Sequence, residues 1–349
     1  MDLTTRYLGL SLKSPIVAGA GPLTHDVDNI RRLEDLGVGA VVMPSIFEEQ
    51  IEQEEHLLDS LAAIGMNSNS EALNYFPVSA SYRIGPERYL EVLYRACQDV
   101  DIPVVASLNG TTDRGWIDYA RQMEQAGASA LELNIYFIPA DLSMPGPDVE
   151  SRYTAILKAV KQAVSIPVSV KLGPSFSAIG HMACQLVEAG ADGLVLFNRF
   201  YAPDIDLTKL ELLPSLELSR RGEIRVPLLW IGILSGRIQA SLAASTGVES
   251  ADEVIKYLLA GADVVMTTSA LLRHGIGHVK ELLNGLRDWL VARNMGTLDG
   301  IRGCLSQRNI ADPTAFERAN YLKVLQGYER ARSVVPGWPV IRAEIRPPE

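Results

Sequence analysis

The sequence predicts an α/β fold, a single (β/α)8 TIM-type barrel, from two short patterns that alternate along the chain at barrel spacing. The first is a helix end with a glycine, followed by an apolar run. It occurs as Leu36-Gly37-Val38-Gly39-Ala40-Val41-Val42, Ala126-Gly127-Ala128-Ser129-Ala130-Leu131, Ala189-Gly190-Ala191-Asp192-Gly193-Leu194-Val195 and Ala260-Gly261-Ala262-Asp263-Val264-Val265. Each glycine stands where a helix C-terminus takes a left-handed residue, and the run after it reads as a buried strand. The second is a proline-led strand: Ser14-Pro15-Ile16-Val17, Ile102-Pro103-Val104-Val105, Ile166-Pro167-Val168 and Val226-Pro227-Leu228. Proline is tolerated at the first residue of a strand, where its missing N–H breaks no ladder bond.

Four of each pattern, interleaved, make eight strands. Amphipathic segments at 26–36, 116–125, 153–164 and 178–188 supply helices between them. A doubly wound open sheet is the alternative. The barrel is expected over about 14–295. Long inserts at 47–82 and 136–149 cover its C-terminal face, and a helical extension over about 296–349 opens a helix at Asp312-Pro313. No stretch has linker composition, so one domain spanning 1–349 is expected.

Bulk chemistry narrows the function. The chain of 349 residues is 47% hydrophobic and 21% charged, enough to bury a large core. A net charge of −10 argues against a nucleic-acid partner. No apolar stretch approaches a membrane span, and no leader-like segment precedes the first strand, so a cytoplasmic location is expected. Cys97, Cys184 and Cys304 lie far apart, are too few for an iron–sulfur cluster and suit a reducing compartment. The five histidines suggest no metal site: His274 and His278 share a helical spacing but lack an HExxH glutamate, and read as surface groups.

In such a barrel the chemistry sits at the C-terminal strand ends. The first strand ends in Gly19-Ala20-Gly21, which admits a flat group close to the backbone or makes a tight turn. The third and fourth end in Asn109 and Glu132-Leu133-Asn134, whose amides face the barrel mouth or cap turns. The fifth, Val168-Ser169-Val170-Lys171-Leu172, carries a lysine that balances developing negative charge, or that snorkels to the surface. The sixth ends in Asn198-Arg199. Gly232 to Gly236 after the seventh, and Thr268-Ser269 after the eighth, form a phosphate cradle at a helix N-terminus. Capping by Thr268 or Ser269 is compatible with that role.

Together these residues resemble the dihydroorotate dehydrogenase family of FMN-dependent barrels over most of the chain. Leu8-Gly9-Leu10-Ser11-Leu12-Lys13-Ser14-Pro15-Ile16 is similar to its opening hairpin and first strand. Glu132-Leu133-Asn134 resembles its fourth-strand motif, Val170-Lys171-Leu172 its fifth-strand lysine, and Gly232 with Gly236 its phosphate loop. The resemblance implies a flavoprotein oxidoreductase of pyrimidine biosynthesis, acting on a small molecule and commonly a soluble homodimer. Lys171 lies beside the flavin, and Asn109, Asn134 and Asn198 contact flavin and substrate. It places Gly19, Ala20, Gly21, Ser45, Gly232, Gly236, Thr268 and Ser269 around the cofactor, and Asn74 at the substrate.

The departures are specific. Phe137 stands where the family has a cysteine or serine base. Met43-Pro44-Ser45 replaces a Thr-Lys-Ser segment, removing a second lysine, and 72–77 blurs a substrate motif. Tyr136 is a conceivable substitute acid or an aromatic that packs in the core or lid, and Ser143 a conceivable base if its loop folds inward. Three readings stay open: an FMN oxidoreductase acting on dihydroorotate or a related dihydropyrimidine, a flavin-binding subunit or electron-transfer partner without its own turnover, and a non-redox lyase or isomerase using Lys171.

Overall fold

The computed structural model describes residues 1–47, 86–110, 114–135, 137–199, 203–213, 217–317 and 321. The chain enters through a hairpin, β1 (Thr5–Tyr7) and β2 (Leu10–Leu12), turned by Leu8 and Gly9 at φ 53° and 77°. Positive φ at both turn residues gives a twist that suits the two strands. Then come β3 (Ile16–Ala18), β4 (Ala40–Val42), the short β5 (Ile46–Phe47), β6 (Val104–Asn109), β7 (Ala130–Asn134), β8 (Val168–Leu172) and β9 (Gly193–Leu196). A separate antiparallel hairpin, β10 (Asp204–Asp206) and β11 (Glu211–Leu213), leads to β12 (Ser241–Ala244) and β13 (Val264–Thr267). Eight strands, β3, β4, β6, β7, β8, β9, β12 and β13, pair in parallel in chain order. Pairing of β13 with β3 closes the ring, and helices between the strands wrap it. The fold is a (β/α)8 barrel.

The glycine pattern works as a backbone requirement. Gly37, Gly127, Gly190 and Gly261 take φ of 98°, 97°, 105° and 117° just before β4, β7, β9 and β13. Pro15, Pro103 and Pro167 immediately precede β3, β6 and β8. The fourth proline is a correction. Pro227 lies in the first turn of a helix, Arg225–Leu234, and the seventh barrel strand is β12. A first helical turn leaves its N–H groups unpaired, so it accepts proline as readily as a strand start does.

Other elements shift less. Asp312 does cap the turn after it, accepting from the Thr314 N–H at 3.1 Å, but Pro313–Phe316 is a single 3-10 turn. A helix begins at Gly146, within the insert expected over 136–149. The other insert lies, past Phe47, outside the described residues.

Strand alternation divides the core in two. Val17, Ala40, Val42, Val105, Ala130, Val195, Ala243 and Val264 point into the barrel, where Tyr7, Leu8 and Leu12 of the hairpin plug the N-terminal end. Their neighbours along each strand face the helices. Each fully buried Val or Leu side chain contributes about 1.5–3 kcal/mol. Gly193 makes room for the plug, since a Cβ there would sit 2.5 Å from Leu8 Cδ2. Toward the C-terminal end the inward positions become polar: Ser107, Glu132, Asn134, Ser169 and Lys171.

Gly261→Ala is expected to destabilise the barrel by about 2 kcal/mol or more, from left-handed strain plus a clash. Its methyl would lie 2.0 Å from Ser235 Oγ. Gly296→Ala, whose methyl meets open space, is expected to stay within about 0.5 kcal/mol of the parent. Urea unfolding midpoints measure both.

Candidate active site

At the C-terminal face a cleft of about 140 Å³ opens above the barrel, where the chemistry of such barrels sits. One end is built on β8 and β9. Lys171 lines it with Asn198 and Ala20. Beneath lies a buried polar floor. Asn134 Nδ2 donates to Ser45 Oγ at 2.9 Å and Ser107 Oγ at 3.0 Å, and the two hydroxyls are 2.8 Å apart. Asn198 Nδ2 donates to Asn134 Oδ1 at 3.4 Å. Lys171 Nζ donates to Glu132 Oε1 at 3.3 Å. Glu132 is wholly buried, and its Oε2 has no hydrogen-bond partner among the described residues.

Adjacent strands bring these groups together. Asn134 pairs in register with Lys171 on β8 and with Asn109 on β6, while Glu132 lies one inward step below, opposite Ser169. Burial and the charge of Glu132 hold the Tyr7 phenol protonated beneath this floor.

The other end is a cradle formed by loops after β12 and β13. Ser219 Oγ accepts the Gly247 N–H at 3.1 Å and lies 3.0 Å from Ser269 Oγ, which also accepts the Ser219 N–H at 3.1 Å. Thr246 takes φ 80°, a costly conformation for a β-branched residue. Its hydroxyl donates to the Phe197 carbonyl at 3.1 Å, and Tyr257 donates to its carbonyl at 2.8 Å. Arg273 holds the Leu218 and Ser219 carbonyls at 2.8 and 2.7 Å. Arg199 donates to the Glu217 carbonyl and pairs with Glu223 at 3.2 Å.

The expected residues therefore divide. Ala20, Lys171, Asn198, Thr268 and Ser269 line the cleft, and Ser45 and Asn134 form its floor. Asn109 stands beside Asn134 in register. Gly19 and Gly21 abut Thr268, whose side chain lies 2.7 and 2.6 Å from where their Cβ atoms would be. Gly232 and Gly236 are corrected away from the cradle. Gly232 packs within its helix against the Phe316 ring, 2.4 Å from a would-be Cβ, and Gly236 ends that helix at φ 69° beside Arg308. The misplaced strand carried them there, and Ser245-Thr246-Gly247 is the loop that follows the true seventh strand.

Ser143 is exposed, donating to Asp141 at 2.7 Å, so its loop does not fold inward. The Arg152 guanidinium covers the Phe137 ring at 4.1 Å. His278 is largely buried rather than superficial, its Nε2 2.8 Å from the Glu249 carbonyl. Tyr136 and Asn74 lie outside the described residues. The sequence reading missed Glu132 as a site residue, although the rule that singled out Lys171 applies to it equally: a buried charge needs a partner. Ser219 gave no local signal.

Comparison with known proteins decides the family. The profile described as "Dihydroorotate dehydrogenase" matches residues 2–290. The chain belongs to the dihydroorotate dehydrogenase family. Among its relatives, the catalytic subunit of dihydroorotate dehydrogenase B (NAD(+)) of Methanocella arvoryzae is 30% identical over 317 residues, covering 87% of this chain and 97% of that protein. Its namesake from Methanocaldococcus jannaschii is 25% identical, covering 86% and 97%. The NAD-dependent dihydropyrimidine dehydrogenase subunit PreA of Escherichia coli is 23% identical, covering 91% and 80%. The family and these relatives make the chain an oxidoreductase of the dihydroorotate or dihydropyrimidine dehydrogenase type.

Tyr257→Phe removes the donor that holds the strained cradle. A stability loss of about 1–3 kcal/mol is expected from the unsatisfied carbonyls. Thermal and urea unfolding of the variant against the parent measure it, and an unchanged midpoint would show that the loop holds itself.

Proposed function

We propose that the protein is an FMN-dependent oxidoreductase acting on the CH–CH bond of a dihydropyrimidine. The observation that carries this reading is one cleft joining a lysine-and-amide end to a hydroxyl-and-N–H end. The Gly247 N–H and the hydroxyls of Ser219 and Ser269 suit a phosphate. Lys171 and Asn198 suit the polar edge of a flavin ring. When bound, FMN supplies a ring that accepts hydride from carbon. Lys171 stabilises charge at that ring, Asn134 and Asn198 orient a cyclic amide, and the Ser219 segment closes the phosphate end.

Charge favours an uncharged dihydropyrimidine over dihydroorotate, which carries a carboxylate. Both cations lining the cleft among the described residues are already paired, Lys171 with Glu132 and Arg199 with Glu223. Reduced Cys97, Cys184 and Cys304 suit a cytoplasmic enzyme. Exposed Ile205, Leu207, Leu210 and Leu212 on the β10–β11 hairpin support pairing with a second copy.

A second reading, a flavin-binding subunit or electron-transfer partner, is favoured by a specific observation. Among the described residues lining the cleft there is no carboxylate, imidazole or thiol to take a proton. A positioned base contributes roughly 10²–10⁴-fold.

An anaerobic visible spectrum of the purified protein separates these readings. A flavin band that an uncharged dihydropyrimidine bleaches faster than dihydroorotate is the expected result. Lys171→Met is expected to slow that bleaching about 10²-fold or more, as loss of an aimed hydrogen-bond donor does in other sites. A flavin band unmoved by either substrate supports the subunit reading, and colourless protein overturns both.

A further inference from the structure

Glu132 is the charged group that the described residues place in the cleft floor, and the proposed reaction leaves it without a task. It sits on β7 with its side chain 1% exposed, inside an otherwise apolar run. Taking a carboxylate out of water costs several kcal/mol unless it is paired, so its presence there asks for a reason. Its partner is Lys171, whose side chain is 12% exposed and whose Nζ lies 3.3 Å from Glu132 Oε1. The same oxygen accepts Asn134 Nδ2 at 3.4 Å. The register explains the contact. Asn134 is directly opposite Lys171, and Glu132 is the next inward residue toward the barrel interior, so the lysine is drawn to its diagonal neighbour.

Two consequences follow. A flexible four-carbon arm that would otherwise sample many rotamers is fixed at the edge of the cleft. Its charge is also largely offset from below. Arg199, the other cation lining the cleft among the described residues, is likewise paired, with Glu223. The cleft thus offers an aimed N–H donor at Lys171 rather than a free cation.

We infer that Glu132 is a positioning residue that sets the electron affinity of the bound flavin through Lys171, holding Nζ in place while cancelling most of its charge. The inference rests on the FMN reading above. Reduction places negative charge on the flavin ring, so a free cation at Lys171 favours the reduced form and a neutralised pair favours it less.

The test uses FMN-loaded protein carrying Glu132→Gln, which keeps an oxygen to accept from Nζ and removes the charge. The readouts are the flavin midpoint potential and the sulfite dissociation constant, followed by loss of the visible band. Sulfite addition also puts negative charge on the ring. The Gln variant is expected to bind sulfite about tenfold tighter, the effect of roughly one logarithmic unit in charge stabilisation, with a more positive potential. Glu132→Asp, whose charge lies one methylene farther away, is expected to shift both in the same direction by less. It also carries the test should the Gln variant not fold. A purely structural Glu132 would lower thermal stability in both variants and leave potential and sulfite affinity where they were. That result, with flavin bound, overturns the inference and leaves the function standing.

A flavin-free measurement checks the pair itself. Lys171 is expected to be acylated faster in stripped Glu132→Gln protein than in the stripped parent, read by mass spectrometry, because the ion pair that holds Nζ in place is gone. Equal rates overturn the pairing. A parent protein that never carries flavin sinks the proposed function instead, and the acylation result then decides whether Glu132 governs Lys171.

Discussion

A carboxylate at the centre of a barrel constrains everything around it. Glu132 is stable there only if Lys171 reaches it, and the reach depends on β7 and β8 keeping the register that sets Asn134 against Lys171. A slip of one residue would turn Lys171 toward the helices and strand two charges. The pair therefore specifies the strand alignment as well as the chemistry of the cleft. The floor built on it is continuous, because Asn134 also holds Ser45 and Ser107 and is itself held by Asn198. Three barrel strands, β6, β7 and β8, and the segments after β4 and β9 are thereby tied to one polar layer, on top of an apolar interior closed below by Tyr7, Leu8 and Leu12.

The cradle follows a different logic. Its backbone is strained at Thr246, and strain of this kind persists only where neighbours over-determine it. Here the neighbours are Tyr257 and the Phe197 carbonyl. The 217–219 segment then closes over the loop, fixed by Arg199 and Arg273 from two sides. Rigidity at this end and an aimed lysine at the other are what a cofactor site needs, since a preorganised donor costs no reorganisation when a ligand arrives.

How far this was legible in the sequence depends on the range of the forces involved. A left-handed residue after a helix is a local demand, so Gly37, Gly127, Gly190 and Gly261 marked four strands correctly. Proline is ambiguous, because a strand start and a first helical turn tolerate it for the same reason, a missing N–H that nothing needs. Pro227 therefore misled, and Gly232 and Gly236 were carried with it to the outside of the barrel. The true strand, Ser241–Ala244, is four small or unremarkable residues. Its place is set by β9 and β13 on either side, which no local pattern reveals. Glu132 was legible, since it alternates with Asn134 on one face of a strand. Ser219 was not: its bonds run to Gly247 and Ser269, 28 and 50 residues away.

Several polar groups of the cleft are bonded to the chain itself, and this bears on where ligand affinity comes from. The Gly247 N–H already has Ser219, Arg199 has Glu223, and Lys171 has Glu132. A ligand exchanges these bonds rather than adding to them, and an exchanged hydrogen bond returns only about 0.5–1.5 kcal/mol. Apolar contact adds little, since Phe197, Val248 and Met266 line the cleft but are themselves buried. Polar groups that are satisfied in advance give little affinity but strong discrimination, because a ligand that displaces them without replacing their bonds leaves buried charge unpaired. The site is built to select by geometry, through groups whose positions the chain itself has already fixed.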